Sequence, residues 1–193
     1  TVAFADQSVS TTTKDDGTWR VSLKQLTANA TPRELTVTGS QSDQPLVLQD
    51  VLVGEVWLCG GQSNMQWTVR RSANPQIEAA NADHPLIRLG QVQRSRAAEP
   101  QDTVNMSWAV CSPETVSNFS AVGYYFGREL HQQLQQKADG KQNGGVMPIG
   151  LISSNWGGTK AEVWTPLDRF KGVPEIEKLL TDYESYKAAY PEK

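Results

Sequence analysis

The chain has 193 residues, which is enough for one medium domain or for one domain with a small satellite. Eighteen Lys and Arg residues against 21 Asp and Glu residues give a net charge of −3, which excludes a strongly basic nucleic-acid binder and a polybasic membrane anchor. No run of about 18 apolar residues occurs, so we expect no membrane span. Two cysteines and two histidines are too few for a disulfide framework or a Cys/His metal cluster.

Residues 1–50 are predicted to form part of a small antiparallel β domain, resembling a β-sandwich with too few strands to close. An Asp16-Gly17 pair predicts a hairpin turn. Apolar residues alternate with polar ones, as in half-buried strands, at Val2 and Phe4, at Trp19, Val21 and Leu23, and at Leu35 and Val37.

Residues 51–193 change to an α/β pattern. Three short apolar runs predict parallel strands over 56–59, 86–92 and 146–152, and the first is continuously apolar, as in a strand covered on both faces. Helical spacing predicts a helix over 122–136, buried through Val122, Phe126, Leu130 and Leu134, and an amphipathic packing helix over 174–190. Because such sheets usually have about five or six strands, we expect the rest of the domain to lie outside these residues.

Two turns that follow predicted strands could carry chemistry. Ser63 lies in Gly60-Gly61-Gln62-Ser63-Asn64-Met65, directly after the first strand, at the sheet edge where α/β proteins bind ligands. Residues 153–159, Ser-Ser-Asn-Trp-Gly-Gly-Thr, follow the third strand, and their glycines would let backbone N–H groups approach an oxyanion. Each stretch taken alone also fits an ordinary turn, with a capping serine in the first and core tryptophans around the second.

Taken together, the blocks over 54–65 and 148–166 resemble the sialate O-acetylesterase family of SGNH-type (GDSL-like) carbohydrate esterases, which are related to acetylxylan esterases. Residues 111–115 and 119–130 and the Asp-Gly-Thr-Trp-Arg-Val stretch over 16–21 resemble the family as well, so the likeness touches nearly the whole chain.

The resemblance implies a flavodoxin-like α/β/α sandwich, incomplete in this chain, preceded by part of a β domain. Ser63 aligns with the nucleophile of the family. Its backbone N–H and that of Gly158, with Gly157 as the near alternative, would form part of the oxyanion hole, and a further side-chain donor lies later in family members. The implied reaction removes acetyl groups from carbohydrates through an acyl-enzyme, with no metal or organic cofactor. It also implies secretion or a periplasmic location.

One part of the family pattern is missing, because these residues contain no Asp-x-x-His pair. Serine is a poor nucleophile without a base. His84, just ahead of a strand, fits a turn or cap better than a base, and His131 on the predicted helix fits an interfacial or solvent-facing position. We therefore expect a C-terminal fragment of the same protein to supply the Asp/His pair, and this chain to be inactive alone.

Several further residues are candidates for weaker roles. Arg70 and Arg71 could bind a sugar carboxylate, or they could form a solvated basic face. Cys59 fits an apolar filler, whereas Cys111 is expected in a loop, and pairing of the two is left open. The remaining candidates for substrate binding are Gln62, Asn64, Asn155 and Glu162.

A non-catalytic carbohydrate-binding module is the alternative to an esterase, suggested by the six tryptophans and the β-rich start. Such modules use exposed aromatic side chains. We expect Trp57, Trp156 and Trp164 to be buried, which favours the enzyme.

Overall fold

The computed structural model describes residues 1–41, 44–97, 101–139 and 146–189. The chain divides into two compact units, Thr1–Gly157 and Gly158–Lys193. The first unit contains two four-stranded sheets. The second contains single helical turns and one longer helix.

The first sheet is antiparallel and has the order β2-β1-β3-β4. Val2 and Phe4 face the interior, as their alternation predicts. The turn at Asp16-Gly17 is present, with the N–H of Gly17 donating to the carbonyl of Lys14 at 3.0 Å, but residues 19–23 form no strand, so the predicted hairpin is wrong there. The strands are β1 Val2–Phe4, β2 Gln7–Val9, β3 Asn29–Val37 and β4 Leu46–Val53.

The second sheet is mixed and has the order β5-β8-β6-β7. Its strands are β5 Glu55–Gly61, β6 His84–Val92, β7 Met106–Cys111 and β8 Ile149–Asn155. Strands β5 and β6 both run parallel to β8, which confirms the three predicted parallel strands, while β7 pairs antiparallel with β6. The expectation of a loop at Cys111 is therefore wrong, because pairing with β6 stabilises an extended strand there.

The α/β class is confirmed by this sheet and the helix that packs on it. The flavodoxin-like strand order 2-1-3-4-5 places the first strand between the second and the third. Here the third parallel strand, β8, lies between the first two. The order of the described strands therefore does not by itself support the flavodoxin-like assignment.

Helix α4, Ala121–Asp139, lies on one face of the second sheet and confirms the predicted helix. The predicted stripe is confirmed at Leu130 and Leu134, which are half-buried against the core, but it is wrong at Val122 and Phe126, which are 48% and 43% exposed. Gly123 and Tyr124 are buried instead, because glycine lets the helix backbone approach the strands closely. The shorter helices of this unit are α1 Ser63–Gln66, α2 Pro75–Ala80 and α3 Pro113–Val116, with a 3₁₀ turn at Val69–Arg71.

The main core lies between α4 and this sheet. Ile87, Ile149 and Leu151 are fully buried there, together with Tyr124. The outer strand β5 is less covered than predicted, since Val56 and Leu58 are 63% and 70% exposed. It is an edge strand of the described sheet, and α4 lies on only one of its faces.

The tryptophans are also more exposed than expected. Trp57 is 40% and Trp164 is 43% exposed, and Trp156 is half-buried. Trp57 keeps contact with α4 through an edge-to-face pair with Phe126, with ring centroids 5.0 Å apart. The prediction that these three tryptophans are buried is therefore wrong.

The second unit contains the 3₁₀ turns Ala161–Trp164 and Leu167–Phe170 and the helix α5 Pro174–Ala189. Helix α5 starts at its proline, where the missing N–H costs nothing, as predicted. No helix in the described part of the chain is both long and apolar enough to cross a membrane.

Candidate active site

The two loops that were predicted to carry chemistry follow adjacent parallel strands. Strand β5 pairs with β8 from Glu55 and Ile149 to Gly61 and Asn155, so both strands end at the same edge of the sheet. The N–H of Trp156 extends this pairing by donating to the carbonyl of Gly61 at 3.0 Å. Ser63 follows one strand and Gly157 the other.

Ser63 is exposed and begins the single helical turn α1. Two residues earlier, Gly61 has a φ of +148°, a backbone conformation that residues with a side chain rarely adopt. The hydroxyl of Ser63 donates to Oε1 of Gln62 at 3.0 Å, and its backbone N–H makes a longer contact of 3.5 Å with the same atom. The hydroxyl of Ser63 is thus accessible to a ligand and is hydrogen-bonded to the neutral side-chain amide of Gln62.

Helix α1 is anchored on the start of α4. The N–H of Ala121 donates to the carbonyl of Trp67 at 2.7 Å, and the hydroxyl of Ser120 donates to the sulfur of Met65 at 3.3 Å. Met65 also packs on the main core. The backbone that carries Ser63 therefore rests on a buried framework.

Gly157 lies beside Ser63. A Cβ built on Gly157 would stand 3.5 Å from the Cα of Ser63. The N–H of Gly157 is already used, because it donates to Oε1 of Gln66 at 2.6 Å. Gly158 belongs to the second unit, where its φ of +82° suits glycine, and its place in an oxyanion hole stays a prediction.

The other predicted contact residues differ in their positions. Asn64 is exposed on α1, beside Ser63. Asn155 is 9% exposed, and its Nδ2 donates to Oγ of Ser153 at 2.6 Å, so its amide is turned inward. Glu162 lies half-buried in a 3₁₀ turn of the second unit.

A cavity of about 280 Å³ opens at this edge of the sheet, and Gln66 and Asn155 are among its lining residues. Arg70, Arg71 and Arg94 also line it. Among the residues that the structure describes, none of the three arginines has a carboxylate within 4.0 Å. The cavity is therefore basic, and an anionic group would be its complementary ligand.

Sequence reasoning found Arg70 and Arg71 but missed Arg94. Arg94 follows the carboxyl end of β6, where its Nε donates to the carbonyl of Asn155 at 3.2 Å. Its guanidinium lies 6.0 Å from the ring of Trp156, and that of Arg71 lies 5.7 Å from Trp67. The position just after a parallel strand was the signal that could have identified it.

Both histidines lie at the opposite edge of the sheet. His84 is the first residue of β6, and Nδ1 of His131 donates to the carbonyl of Met147, just before β8 begins. The seven residues of β8 span roughly 20 Å, so neither imidazole reaches Ser63. His131 is buried at the helix interface, and His84 belongs to a strand, which corrects its expected turn or cap position.

Both cysteines are free and buried. Cys59 packs against Gly123 of α4, as expected for an apolar filler. Burial raises the pKa of its thiol. Burial and then the charge of Asp83 raise the pKa of Cys111 to about 12. These are inert thiols, and neither takes part in the site around Ser63.

The fold and the site define the chain as an α/β protein with a candidate nucleophilic serine at the carboxyl edge of its parallel strands. No protein-family model matches the sequence. The chain is 35% identical over 197 residues to the sialate O-acetylesterase of Rattus norvegicus, covering 90% of this chain and 34% of that protein. It is 37% identical over 141 residues to the sialate O-acetylesterase of Homo sapiens, covering 67% of this chain and 25% of that protein.

Among solved structures, a carbohydrate acetylesterase from Xanthomonas citri matches with a TM-score of 0.71 and 31% identity, covering 82% of this chain and 34% of that one. The chain belongs to the sialate O-acetylesterase family, as its motifs predict. It spans about a third of the length of the first curated relatives it matches.

Proposed function

We propose that this protein is a carbohydrate O-acetylesterase of the SGNH type and that Ser63 is its nucleophile. The observation that carries the proposal is the exposed hydroxyl of Ser63 at the end of β5, beside the backbone of Gly157. The names of the relatives agree with this reaction.

In the proposed reaction, a base removes the hydroxyl proton of Ser63 while Oγ attacks the acetyl carbonyl carbon. The bond from that carbon to the sugar oxygen breaks, and the sugar leaves as the protonated alcohol. Water then hydrolyses the acetyl-serine and releases acetate. The N–H of Ser63, which makes only a long contact with Gln62, is available to the oxyanion, and Gly158 remains the predicted second donor.

The base is proposed to come from outside these residues. The support is that His84 and His131 are the only two histidines of the sequence and both lie at the far edge of the sheet. A C-terminal part of the same protein that carries an Asp/His pair would supply it. Adding that part to the chain should create esterase activity, and activity of the chain alone would refute the proposal.

The nucleophile is tested by Ser63→Ala in the complete protein. Hydrolysis of an aryl acetate should fall by at least about a thousandfold, since the residual rate would come from binding and the oxyanion donors alone. The matched control is Ser8→Ala on an exposed position of β2, which should keep full activity. Near-full turnover by a folded Ser63→Ala protein would end the assignment.

The preferred substrate is proposed to be an acidic acetylated sugar, sialic acid or a related glycan. The basic cavity lined by Arg70, Arg71 and Arg94 supports this choice. Arg94→Ala should raise KM for an acetylated acidic sugar by about tenfold or more and leave KM for a neutral acetylated sugar unchanged. Arg20→Ala, on an exposed segment outside the cavity, is the control.

A carbohydrate-binding module is the second candidate. Trp57 and Trp164 are more exposed than the sequence predicts, so burial of these rings no longer argues against it. A fluorophosphonate probe separates the two functions, because an esterase reacts at Ser63 and a binding module does not.

Glycan processing also favours secretion or a periplasmic location, which fractionation of the source cells would test.

A further inference from the structure

Gln66 connects the two loops at the candidate site. Its Oε1 accepts the N–H of Gly157 at 2.6 Å, although the two residues are 91 positions apart in sequence. The sheet pairing of β5 with β8 ends at Gly61 and Asn155. The bond from Gln66 therefore ties the loops together beyond the end of the sheet.

The backbone of Gln66 is itself held in place. Its N–H donates to the carbonyl of Gln62 at 2.9 Å, and the next residue, Trp67, accepts the N–H of Ala121 on α4 at 2.7 Å. The side chain is half-buried. Because the backbone that carries it is held in place, Oε1 of Gln66 can fix the position of the group it binds relative to α1.

The two loops come close together at position 157, so that a side chain there would displace the end of Gln66. A Cβ there would stand 2.6 Å from Oε1 of Gln66, closer than atoms can lie without a shift. It would also contact the Cα of Ser63 at 3.5 Å. Gln66 thus holds the Gly157 peptide directly beside the backbone of the candidate nucleophile.

We propose that Gln66 is a positioning residue that fixes the Gly157 peptide relative to Ser63. It occupies the N–H of Gly157, so this N–H is not the oxyanion donor. The role rests on the proposed esterase function, in which Ser63 and the donors must keep a fixed geometry. A displacement of about 1 Å in such a site can lower the rate on the order of a hundredfold.

The test is Gln66→Leu, which keeps the size of the side chain and removes the acceptor. Hydrogen exchange at the amide of Gly157, measured by NMR, should become roughly tenfold faster. In the complete protein, kcat for an acetylated sugar should fall by about tenfold to a hundredfold, while KM stays within about twofold. Gln66→Glu retains an acceptor oxygen and should restore slow exchange at Gly157 and part of the lost kcat.

The matched control is Gln133→Leu on the exposed side of α4, where Nε2 of Gln133 donates to Glu129 of the same helix. It should change neither exchange at Gly157 nor kcat. Unchanged exchange in Gln66→Leu would overturn the proposal, and so would faster exchange with an unchanged kcat, because the bond would then be merely structural. A complete wild-type protein without esterase activity would refute the proposed function instead, and exchange at Gly157 would then alone decide whether Gln66 holds the loop.

Discussion

Gly127 of α4 lies directly over Leu151 of β8, so closely that a Cβ on the glycine would stand 2.8 Å from Cδ2 of the leucine. One helical turn earlier, a Cβ on Gly123 would stand 3.2 Å from the sulfur of Cys59. These two glycines let the helix pack on the strands that carry the candidate site at their ends.

Gly127→Ala should therefore destabilise the protein. Helix propensity alone favours alanine by about 1 kcal/mol. Overpacking against Leu151, which is fully buried, costs about 1–3 kcal/mol and should outweigh that gain. Urea denaturation measures the difference, with Gln133→Ala on the exposed side of the same helix as control. A Gly127→Ala protein more stable than the wild type would contradict the close packing.

Arg88→Met should loosen the connection between the two sheets. The Nη2 of Arg88 on β6 donates to both carboxylate oxygens of Asp50 on β4, at 2.9 and 3.0 Å, and its Nη1 donates to the carbonyl of Pro85. Because the arginine side chain is 16% exposed and the aspartate 51%, we expect a loss of about 1–2 kcal/mol. Thermal denaturation measures it. Asp50→Asn removes the charge but keeps an oxygen acceptor, so a loss equal to that of Arg88→Met would show that the charge stabilises the contact, and no loss would contradict a contribution from the ion pair.

His84 should make the protein less stable in acid. Burial, followed by the nearby charges of His131 and Arg128, lowers the pKa of His84 from 6.5, and the charge of Asp83 opposes this only in part. The folded state then binds the proton less readily than the unfolded chain. The free energy of unfolding is therefore fully retained above about pH 6.5 and decreases as the pH falls through the folded pKa.

Urea denaturation between pH 5 and 8 measures this dependence. His84→Gln removes the titrating group and should show a smaller loss of stability over that range, whatever its stability at pH 8. An identical pH dependence in wild type and variant would assign the effect to other groups.

Both cysteines should resist alkylation in the folded protein. The pKa of Cys111 is raised to about 12, and its side chain is fully buried, so almost no thiolate is exposed at neutral pH. Iodoacetamide followed by intact-mass measurement should show no modification of the native protein and two modifications in denaturant. Rapid labelling of native Cys111 would show that β7 opens readily.

Continuous apolar runs made the parallel strands predictable. Strands β5, β6 and β8 all lie where hydrophobicity placed them, and the turn after β5 carries Ser63 at the expected edge. Strand β7 was missed because its extended form depends on pairing with β6, a contact that its own residues do not encode. The ring of Trp108 on β7 fills the space beside Gly90, which becomes apparent only once the strands are paired.

The sequence by itself determined the α/β class, the α4 helix and the serine turn, because these follow from local hydrophobic pattern and from glycine. Only the tertiary structure decided which face of α4 is buried, since two glycines outweigh the apolar residues Val122 and Phe126 when a helix must approach a sheet. It also placed both histidines away from Ser63 and brought Gln66 to Gly157. Residues that are distant in sequence meet at one edge of the sheet because the strands pair, and local sequence patterns do not specify that pairing.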